Sequence, residues 1–270
     1  MKKRVLYLLC MVFAMMAWLP PQLWAQTRPS GGDGSSESPF LITTAEELKW
    51  YASYVNGESG DNVVHTTACA QLVNNIDLST VCGKGKGNWT PIAKYDIYKA
   101  GKNKFDGVFD GNGHTISNLY INNKNGSYLG LFGRIEPTSS SAPASVKNLK
   151  MENVQIVGSQ NIAAVCASGK NVTFENIEVI SGSITGSYFI CGMSACGGSA
   201  RNCINRANVT ASGSYVSGII QTIYDKVSNC SNYGEITTGT GRAGGIACGN
   251  KESNKLTDCA NYGSIHVTGS

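Results

Sequence analysis

The feature that most constrains this sequence is a set of three apolar columns that repeat about every 27 residues. The columns are Leu149, Ile177, Cys203, Cys230 and Cys259; Ile156, Ile184, Val209, Ile236 and Ile265; and Val165, Met193, Ile219 and Ile246. A unit this small, with no helical period, cannot bury its own apolar face, whereas stacked units bury their faces together. Three columns per unit predict three short inward-facing strands per coil. We therefore predict an all-β fold, a parallel β-helix of about 27 residues per coil.

The composition agrees with a turn-dense β protein. Charged residues make up 15% of the chain, hydrophobic residues 41%, and glycine supplies 32 positions, which is too apolar for disorder and too rich in glycine for a helical bundle. Of the 22 basic residues, three lie at positions 2–4 in a segment that we expect to be removed, which leaves 19 against 18 acidic residues. No basic run follows Arg4, so we predict no nucleic-acid partner, because phosphate binding needs a concentrated basic face.

Residues 1–25 have the pattern of a secretory signal peptide. Basic Lys2–Arg4 precede the apolar run Val5–Leu19, and Ala25 supplies a small residue at the cleavage site. An uncleaved anchor is the alternative, but this apolar run is short for a bilayer, which requires about 20 residues. We expect cleavage after Ala25, a secreted or bacterial cell-surface location, and no integral membrane segment afterwards.

A linker and a cap are predicted ahead of the repeats. We divide the chain into a signal peptide (1–25), a flexible Gly/Ser linker (26–39), an N-terminal capping segment (40–58) and the β-helix (59–270). Thr44 and Glu47 match a capping box, which predicts a helix that begins after Thr44. Leu48, Tyr51 and Val55 then form one apolar stripe, which we expect to cover the open end of the first coil.

The opposite end of the predicted β-helix has no comparable cover. The sequence stops at Ser270, directly after the strand-like residues 264–268, and no helix, charged edge or proline closes the stack. Unpaired strand edges are templates for further pairing. We therefore expect either that the natural chain continues or that an end-to-end partner docks on this coil.

Residues 105–119, followed by Gly-Leu-Phe-Gly at 130–133, resemble the signature of bacterial GLUG-motif proteins. The residues that carry the resemblance are Asp110, Gly111, Asn112, Gly113, His114, Gly130, Leu131 and Gly133. Upstream segments 39–42, 72–78 and 89–92 are similar too, whereas the later copies at 164–167 and 245–248 drift from the motif. The resemblance implies a right-handed β-helix that is exported, often within adhesin-like chains or ahead of immunoglobulin-cleaving metallopeptidase domains. It assigns no catalytic residue to the repeats.

The residues that could carry chemistry do not form a catalytic pattern. The three histidines, His65, His114 and His266, lack metal-ligand spacing. Asp106 and Asp110 are the best carboxylate pair, but an extended strand separates them by about 13 Å, beyond the roughly 5 to 9.5 Å that glycosidases use. We predict no catalytic residues, no metal site and no cofactor.

Nine cysteines remain after signal cleavage, so disulfides cannot pair them all within one chain. Cys203, Cys230 and Cys259 occupy a core column, and we predict stacked thiols there in preference to bridges between coils. Cys69 and Cys82 are the pair that we predict as a candidate disulfide.

Two columns of aromatic and cationic side chains form the candidate ligand-binding surface. They are Tyr188, Tyr215 and Arg242, and Arg206, Tyr233 and Tyr262, and within each column the members are spaced by about one predicted coil. Such columns fit a glycan or a host surface protein, but the favoured interpretation is a purely structural stack of rings that stabilises the solenoid.

Three functional hypotheses remain from the sequence. The preferred one is a secreted or cell-surface repeat module with a structural, adhesive or ligand-binding role. The second is a polysaccharide-active β-helix enzyme, a lyase or hydrolase, which rests on analogy of fold alone. The third is that the chain is the N-terminal portion of a longer surface protein or peptidase.

Overall fold

A computed structural model describes residues 27–96, 103–139, 144–250 and 256–269, and the predicted signal peptide lies outside these residues. The described chain is a parallel β-solenoid of about eight turns, with about 28 residues per turn. This confirms the all-β repeat fold and its period. Between residues 144 and 244 each turn passes through three sheets, and the whole described solenoid encloses a continuous apolar core.

The largest sheet, called the long sheet below, follows the axis of the solenoid. Its main strands are β1 (Phe40–Ile42), β2 (Ala70–Leu72), β4 (Val108–Asp110), β7 (Ala144–Glu152), β10 (Val172–Val179), β13 (Ser194–Arg201), β17 (Ile220–Ser228) and β21 (Ala247–Asn250). Shorter strands widen it: β3 (Ile76–Asp77), β5 (Thr115–Ser117), β14 (Ile204–Asn205), β18 (Ser231–Asn232), β22 (Leu256–Thr257) and β23 (Ala260–Asn261). The main strands pair in chain order, each with the next.

Two further sheets complete each turn. The second sheet contains β6 (Tyr120–Asn122), β8 (Val154–Val157), β11 (Gly182–Gly186), β15 (Asn208–Ala211), β19 (Ile236–Thr238) and β24 (Ile265–Val267). The third contains β9 (Gln160–Ala163), β12 (Tyr188–Cys191), β16 (Val216–Ser217) and β20 (Ala243–Gly244). Strands within each sheet are neighbours from successive turns, so one turn adds one layer to the core.

The predicted apolar columns set the register of these layers. In the second sheet Ile156 pairs with Ile184, Ile184 with Val209, Val209 with Ile236, and Ile236 with Ile265. The first four are fully buried, whereas Ile265, in the last described turn, is 42% exposed. The register predicted from the columns is therefore correct in this sheet.

The predicted helix is present as α1 (Ala45–Val55), and a single 3-10 turn (Leu78–Thr80) follows later in the chain. Thr44 and Glu47 form the expected capping box, in which each side chain accepts from the other residue's backbone N–H. The stripe residues Leu48, Tyr51 and Val55 are fully buried. The hydroxyl of Tyr51 donates to the Ala68 carbonyl at 2.7 Å, which fixes the helix against the first turns.

The segment before the helix is not the flexible linker that composition predicts. Gly31 pairs with Leu41 in an antiparallel bridge, and the Cys69 amide donates to the Gly34 carbonyl at 2.8 Å. Gly34 has a φ of +87°, and a Cβ atom there would lie 2.4 Å from the Phe40 ring. Glycine is therefore used here for a tight, packed turn, and the linker prediction is wrong for residues 31–38.

All eight cysteines whose state the structure describes are free thiols, Cys69 and Cys82 among them. The Cys69 Sγ accepts from the Val108 amide at 3.4 Å, while the Cys82 Sγ donates to the Asn118 carbonyl at 3.7 Å. Each thiol has its own partner, so the predicted disulfide between them is not formed.

The cysteine column forms the stack of thiols that the sequence predicts. Cys203 and Cys230 are fully buried, and the Cys230 amide donates to the Cys259 Sγ at 3.4 Å. Burial raises the pKa of the Cys203 thiol well above its ordinary value. The hydrogen bond with Cys203 instead lowers the pKa of the Cys230 thiol. Cys203 and Cys230 therefore fill the core as small buried side chains.

Candidate functional site

The outer face of the long sheet is bent by a column of residues in the left-handed backbone conformation. Asn148, Asn176, Asn202, Asn229 and Asp258 have φ angles between 52° and 55°. Asparagine and aspartate tolerate this conformation better than most residues, which explains why they recur one position before the first apolar column. A left-handed residue within a strand interrupts the alternation of side chains and turns the strand.

A groove of about 280 Å³ follows this bend, and we call it the amide groove. Its lining residues come from four successive turns: Gly113, Asn148, Lys150, Asn176, Ile177, Glu178, Asn202 and Ile204. The groove was not predicted from the sequence. The asparagine column is its only sequence signal, and that pattern predicts a structural ladder and not a site.

The side chains of Asn148, Asn176 and Asn202 form a continuous hydrogen-bonded ladder. The Asn202 Nδ2 donates to the Asn176 Oδ1 at 3.0 Å, the Asn176 Nδ2 to the Asn148 Oδ1 at 2.8 Å, and the Asn148 Nδ2 to the Asp110 carboxylate at 3.0 Å. All donors point towards the N-terminal end, so the ladder ends on a negative charge, and charge-assisted bonds of this kind are the stronger ones. The floor of the groove is consequently rigid.

Charges alternate in sign on both sides of the ladder. On one side Lys147 pairs with Asp110 at 3.3 Å, and Glu175 lies opposite Lys147 and forms an ion pair with Arg201. Opposite charges on adjacent strands stabilise a sheet modestly and neutralise one another.

The other side of the ladder repeats this arrangement. Glu178 lies opposite Lys150 and pairs with Arg206 at 3.1 Å. The fold thus gathers acidic and basic residues from several turns on one face. Glu178 is nevertheless bound to a guanidinium, as is Glu175 across the ladder. The face is polar and electrically balanced.

The second predicted aromatic column borders the amide groove, and we call it the tyrosine column. The Arg206 guanidinium lies 4.4 Å from the centre of the Tyr233 ring, which stacks on Tyr262 with centroids 4.8 Å apart. Tyr233 and Tyr262 are 44% and 66% exposed. Glu178 connects the two features, because it lines the groove and also binds Arg206.

The first predicted aromatic column is wrong at one of its three members. Arg242 lies 5.6 Å from the centre of the Tyr215 ring, but the ring stacked on Tyr215 belongs to Phe189, with centroids 4.9 Å apart. Tyr188 instead pairs with Gln160. Because residue 190 pairs with residue 216, the turn here is one residue shorter than the predicted period, so counting by that period selects the wrong neighbour.

The residues of the GLUG-like motif occupy packed turns. Asn112 and Gly113 have φ angles of 50° and 80°, and the His114 amide donates to the Gly111 carbonyl within that turn. Leu131 is fully buried. A Cβ atom at position 130 or 133 would lie 2.5 or 2.8 Å from a neighbouring carbonyl oxygen. The motif residues thus allow close approach of backbones between turns.

The remaining histidines also have local partners. The His65 Nε2 lies 2.7 Å from an Asp61 carboxylate oxygen, and its ring stacks on Tyr54 at 3.8 Å. His266 lies 3.9 Å from Glu235 on the last described turn. Within the described ranges no group of three or more His, Cys, Asp and Glu side chains is placed to hold a metal ion.

Sequence and structure comparisons do not show the family of this chain. No family model matches it, and the GLUG resemblance stays a prediction. The chain is 38% identical over 106 residues to "Putative Gly-rich membrane protein" of Evansella cellulosilytica, and 27% identical over 159 residues to "Halomucin" of Haloquadratum walsbyi. These matches cover 39% and 58% of this chain but only 10% and 2% of the two relatives.

One solved structure has a similar fold, a "putative immunoglobulin A1 protease" from Bacteroides ovatus. The match covers 87% of this chain and 69% of the other, with a TM-score of 0.56 and 18% sequence identity. At this identity the likeness establishes the solenoid fold alone. In the described part of this chain, none of the helices has the length and hydropathy needed to cross a membrane.

Proposed function

We propose that this chain is a non-enzymatic, surface-displayed module that binds glycans through the amide groove and the tyrosine column. The observation that carries the proposal is the continuity of the two features through Glu178. Together they offer amide, hydroxyl and aromatic groups on a rigid face whose charges are mutually paired. Such a surface suits a neutral, hydroxyl-rich polymer better than a strongly charged partner.

Within the tyrosine column, Tyr262 is the principal contact. Tyr233 lies between Arg206 and Tyr262, so its ring faces are covered and its exposed area comes from its edge and hydroxyl. Tyr262 is the most exposed large hydrophobic residue among those described. Its exposed ring surface is the one on which a sugar ring would stack.

A surface location is part of this proposal. The predicted signal peptide supports it, as does the name of the Evansella relative, which describes a membrane protein. Catalysis is disfavoured because the groove carboxylate, Glu178, is held by a guanidinium at 3.1 Å instead of being paired with a second acid.

The test is a glycan array with residues 26–270, run beside the double variant Tyr233→Ala/Tyr262→Ala. Tyr188→Ala is the matched control, since Tyr188 is 43% exposed but belongs to the third sheet. We expect selective binding by the parent and the control, and at least a roughly tenfold loss in the double variant, equivalent to about 1.4 kcal/mol.

Three outcomes would contradict the proposal: binding that survives in the double variant, an array without any bound glycan, and the release of new reducing ends from a bound polysaccharide. The last would indicate the polysaccharide-active enzyme instead. Circular dichroism of each variant verifies that the solenoid is intact.

A further inference from the structure

A second concavity lies on the outer face of the long sheet, at the start of β10 and the middle of β13 and β17. It measures about 300 Å³, and we call it the Tyr224 cleft. Its walls come from three successive turns: residues 171–173, residues 198–199, and Tyr224 with Asp225. It shares no lining residue with the amide groove or the tyrosine column.

The cleft exists because the repeat is broken in β17. Gly198 pairs with Ile223 and Ala200 with Val227, so the same interval holds two more residues in β17 than in β13. The extra residues form a bulge at 224–226, and Tyr224 is 38% exposed there. Bulges of this kind redirect side chains and are frequent beside binding sites.

Two glycines in β13 provide the space. A Cβ atom at Gly197 would lie 1.5 Å from the Tyr224 ring, and one at Gly198 would lie 2.5 Å from the Val172 carbonyl oxygen. The tyrosine ring therefore rests directly on the Gly197 backbone. Glycine weakens a strand, and in strand interiors it marks places where a backbone or a ligand approaches closely.

The cleft combines this ring with polar groups. The Ser199 hydroxyl donates to the Thr173 hydroxyl at 3.3 Å on one wall, and the exposed Asp225 follows Tyr224 on the other. A ring face attracts weakly positive C–H groups, while hydroxyls and a carboxylate bind sugar hydroxyls. The volume lies at the lower end of the range for small-molecule sites.

We propose that the Tyr224 cleft binds a single neutral pyranose unit, with the apolar face of the sugar against the Tyr224 ring. Its hydroxyls would be bound by Ser199, Thr173 and Asp225. The inference extends the proposed glycan-binding function to a second subsite, but it depends on none of the residues of the tyrosine column. An extended polysaccharide that contacts both places would gain affinity from the link between them.

The test is saturation-transfer NMR on residues 26–270 with the methyl glycosides of glucose, galactose, mannose and N-acetylglucosamine as separate probes. We expect transfer to at least one probe, a Kd raised at least about tenfold in Tyr224→Ala, and a Kd within about twofold of the parent in Tyr224→Phe, which keeps the ring. Asp225→Asn, a change at an exposed position, is expected to weaken binding, and circular dichroism of this variant checks that the solenoid is intact.

The variant Tyr233→Ala/Tyr262→Ala separates this inference from the proposed function. If the cleft is the monosaccharide site, that double variant retains parental affinity for the methyl glycosides, whatever happens on the glycan array. Absence of transfer from all four probes would overturn the inference. So would unchanged affinity in both Tyr224→Ala and Asp225→Asn.

Discussion

Replacing Asn232 by leucine tests how much the interior of the solenoid depends on side-chain amides. Asn232 is fully buried, and its Nδ2 donates to the Gly234 carbonyl at 2.9 Å and to the Asn261 Oδ1 at 2.7 Å. Its Oδ1 accepts from the Asn205 Nδ2 at 2.8 Å. Leucine has a similar size and shape but removes all three bonds.

The expected loss in the free energy of unfolding depends on whether the groups that lose their hydrogen bond to Asn232 are buried or exposed. Three net hydrogen bonds are worth about 3 kcal/mol, and the buried Gly234 carbonyl, left without its partner, adds about 2 kcal/mol. The Asn205 Nδ2 retains its bond to the Ala207 carbonyl, and burial of the leucine side chain returns about 2 kcal/mol. We therefore expect a net loss of roughly 3 kcal/mol. Asn261→Leu is the matched control and should cost less than about 1 kcal/mol, because Asn261 is exposed and water replaces its partners.

Native-state hydrogen exchange is the appropriate assay, because turns of a solenoid open individually and a single midpoint would average them. In Asn232→Leu the protection of residues 231–238 should fall about a hundredfold, while protection of residues 172–186, two turns away, stays unchanged. Equal effects of Asn232→Leu and Asn261→Leu would refute the reasoning, as would a loss spread evenly over both regions.

Three further predictions concern the core, a close approach and pH. Ile236→Asp places an unpaired carboxylate at a fully buried position, so the free energy of unfolding should fall by several kcal/mol and the thermal midpoint should fall with it. An unchanged melting curve would mean that the register is wrong. Gly234→Ala should lower the urea midpoint, because the new Cβ atom would lie 1.9 Å from the Ala207 carbonyl oxygen; an unaltered midpoint would show that the turns can separate freely there. The Asn118 amide at 2.7 Å is the main cause that lowers the pKa of Asp77 below its ordinary value of 3.8. This contribution to stability is present above that value and is lost as pH falls through the lower pKa of the folded state, so melts over about pH 5 to 2 should show a smaller acid-induced loss for Asp77→Asn than for the parent.

The fold was predictable because inward-facing residues obey a simple physical rule. A position that points into the core of a solenoid must be apolar in every turn, so Ile156, Ile184 and Val209 recur and fix the register. The capping helix was predictable for a related reason, since Thr44 and Glu47 satisfy backbone donors that any helix start exposes.

The outer surface was less predictable, because solvent imposes no comparable rule on it. Tyr188 was assigned to a column that Phe189 occupies, since a turn shorter by one residue changes which side chains are neighbours while the core columns still look regular. The bulge at Tyr224 left no trace in the local sequence, which is typical of an ordinary strand. It follows from the unequal lengths of β13 and β17, and only pairing reveals that difference.

In the regular part of the long sheet the outer side chains form hydrogen bonds and ion pairs with one another, and this limits how many bonds they can offer to a ligand. Along the axis, side-chain amides of successive turns hydrogen-bond to one another, and acidic side chains form ion pairs with basic ones. The Tyr233 ring is covered by Arg206 and Tyr262. Amides and charged groups that already bond their counterparts in the next turn keep only part of their hydrogen-bonding capacity for a ligand, so the amide groove supplies a rigid polar floor and little discrimination between ligands. Selective binding should therefore arise at the side chains that project from this face outside the ladder and its ion pairs, namely Tyr224 on the bulge and Tyr262, which is 66% exposed. Substitutions at these two residues should alter ligand affinity more than substitutions of equal size at regular positions of the same face.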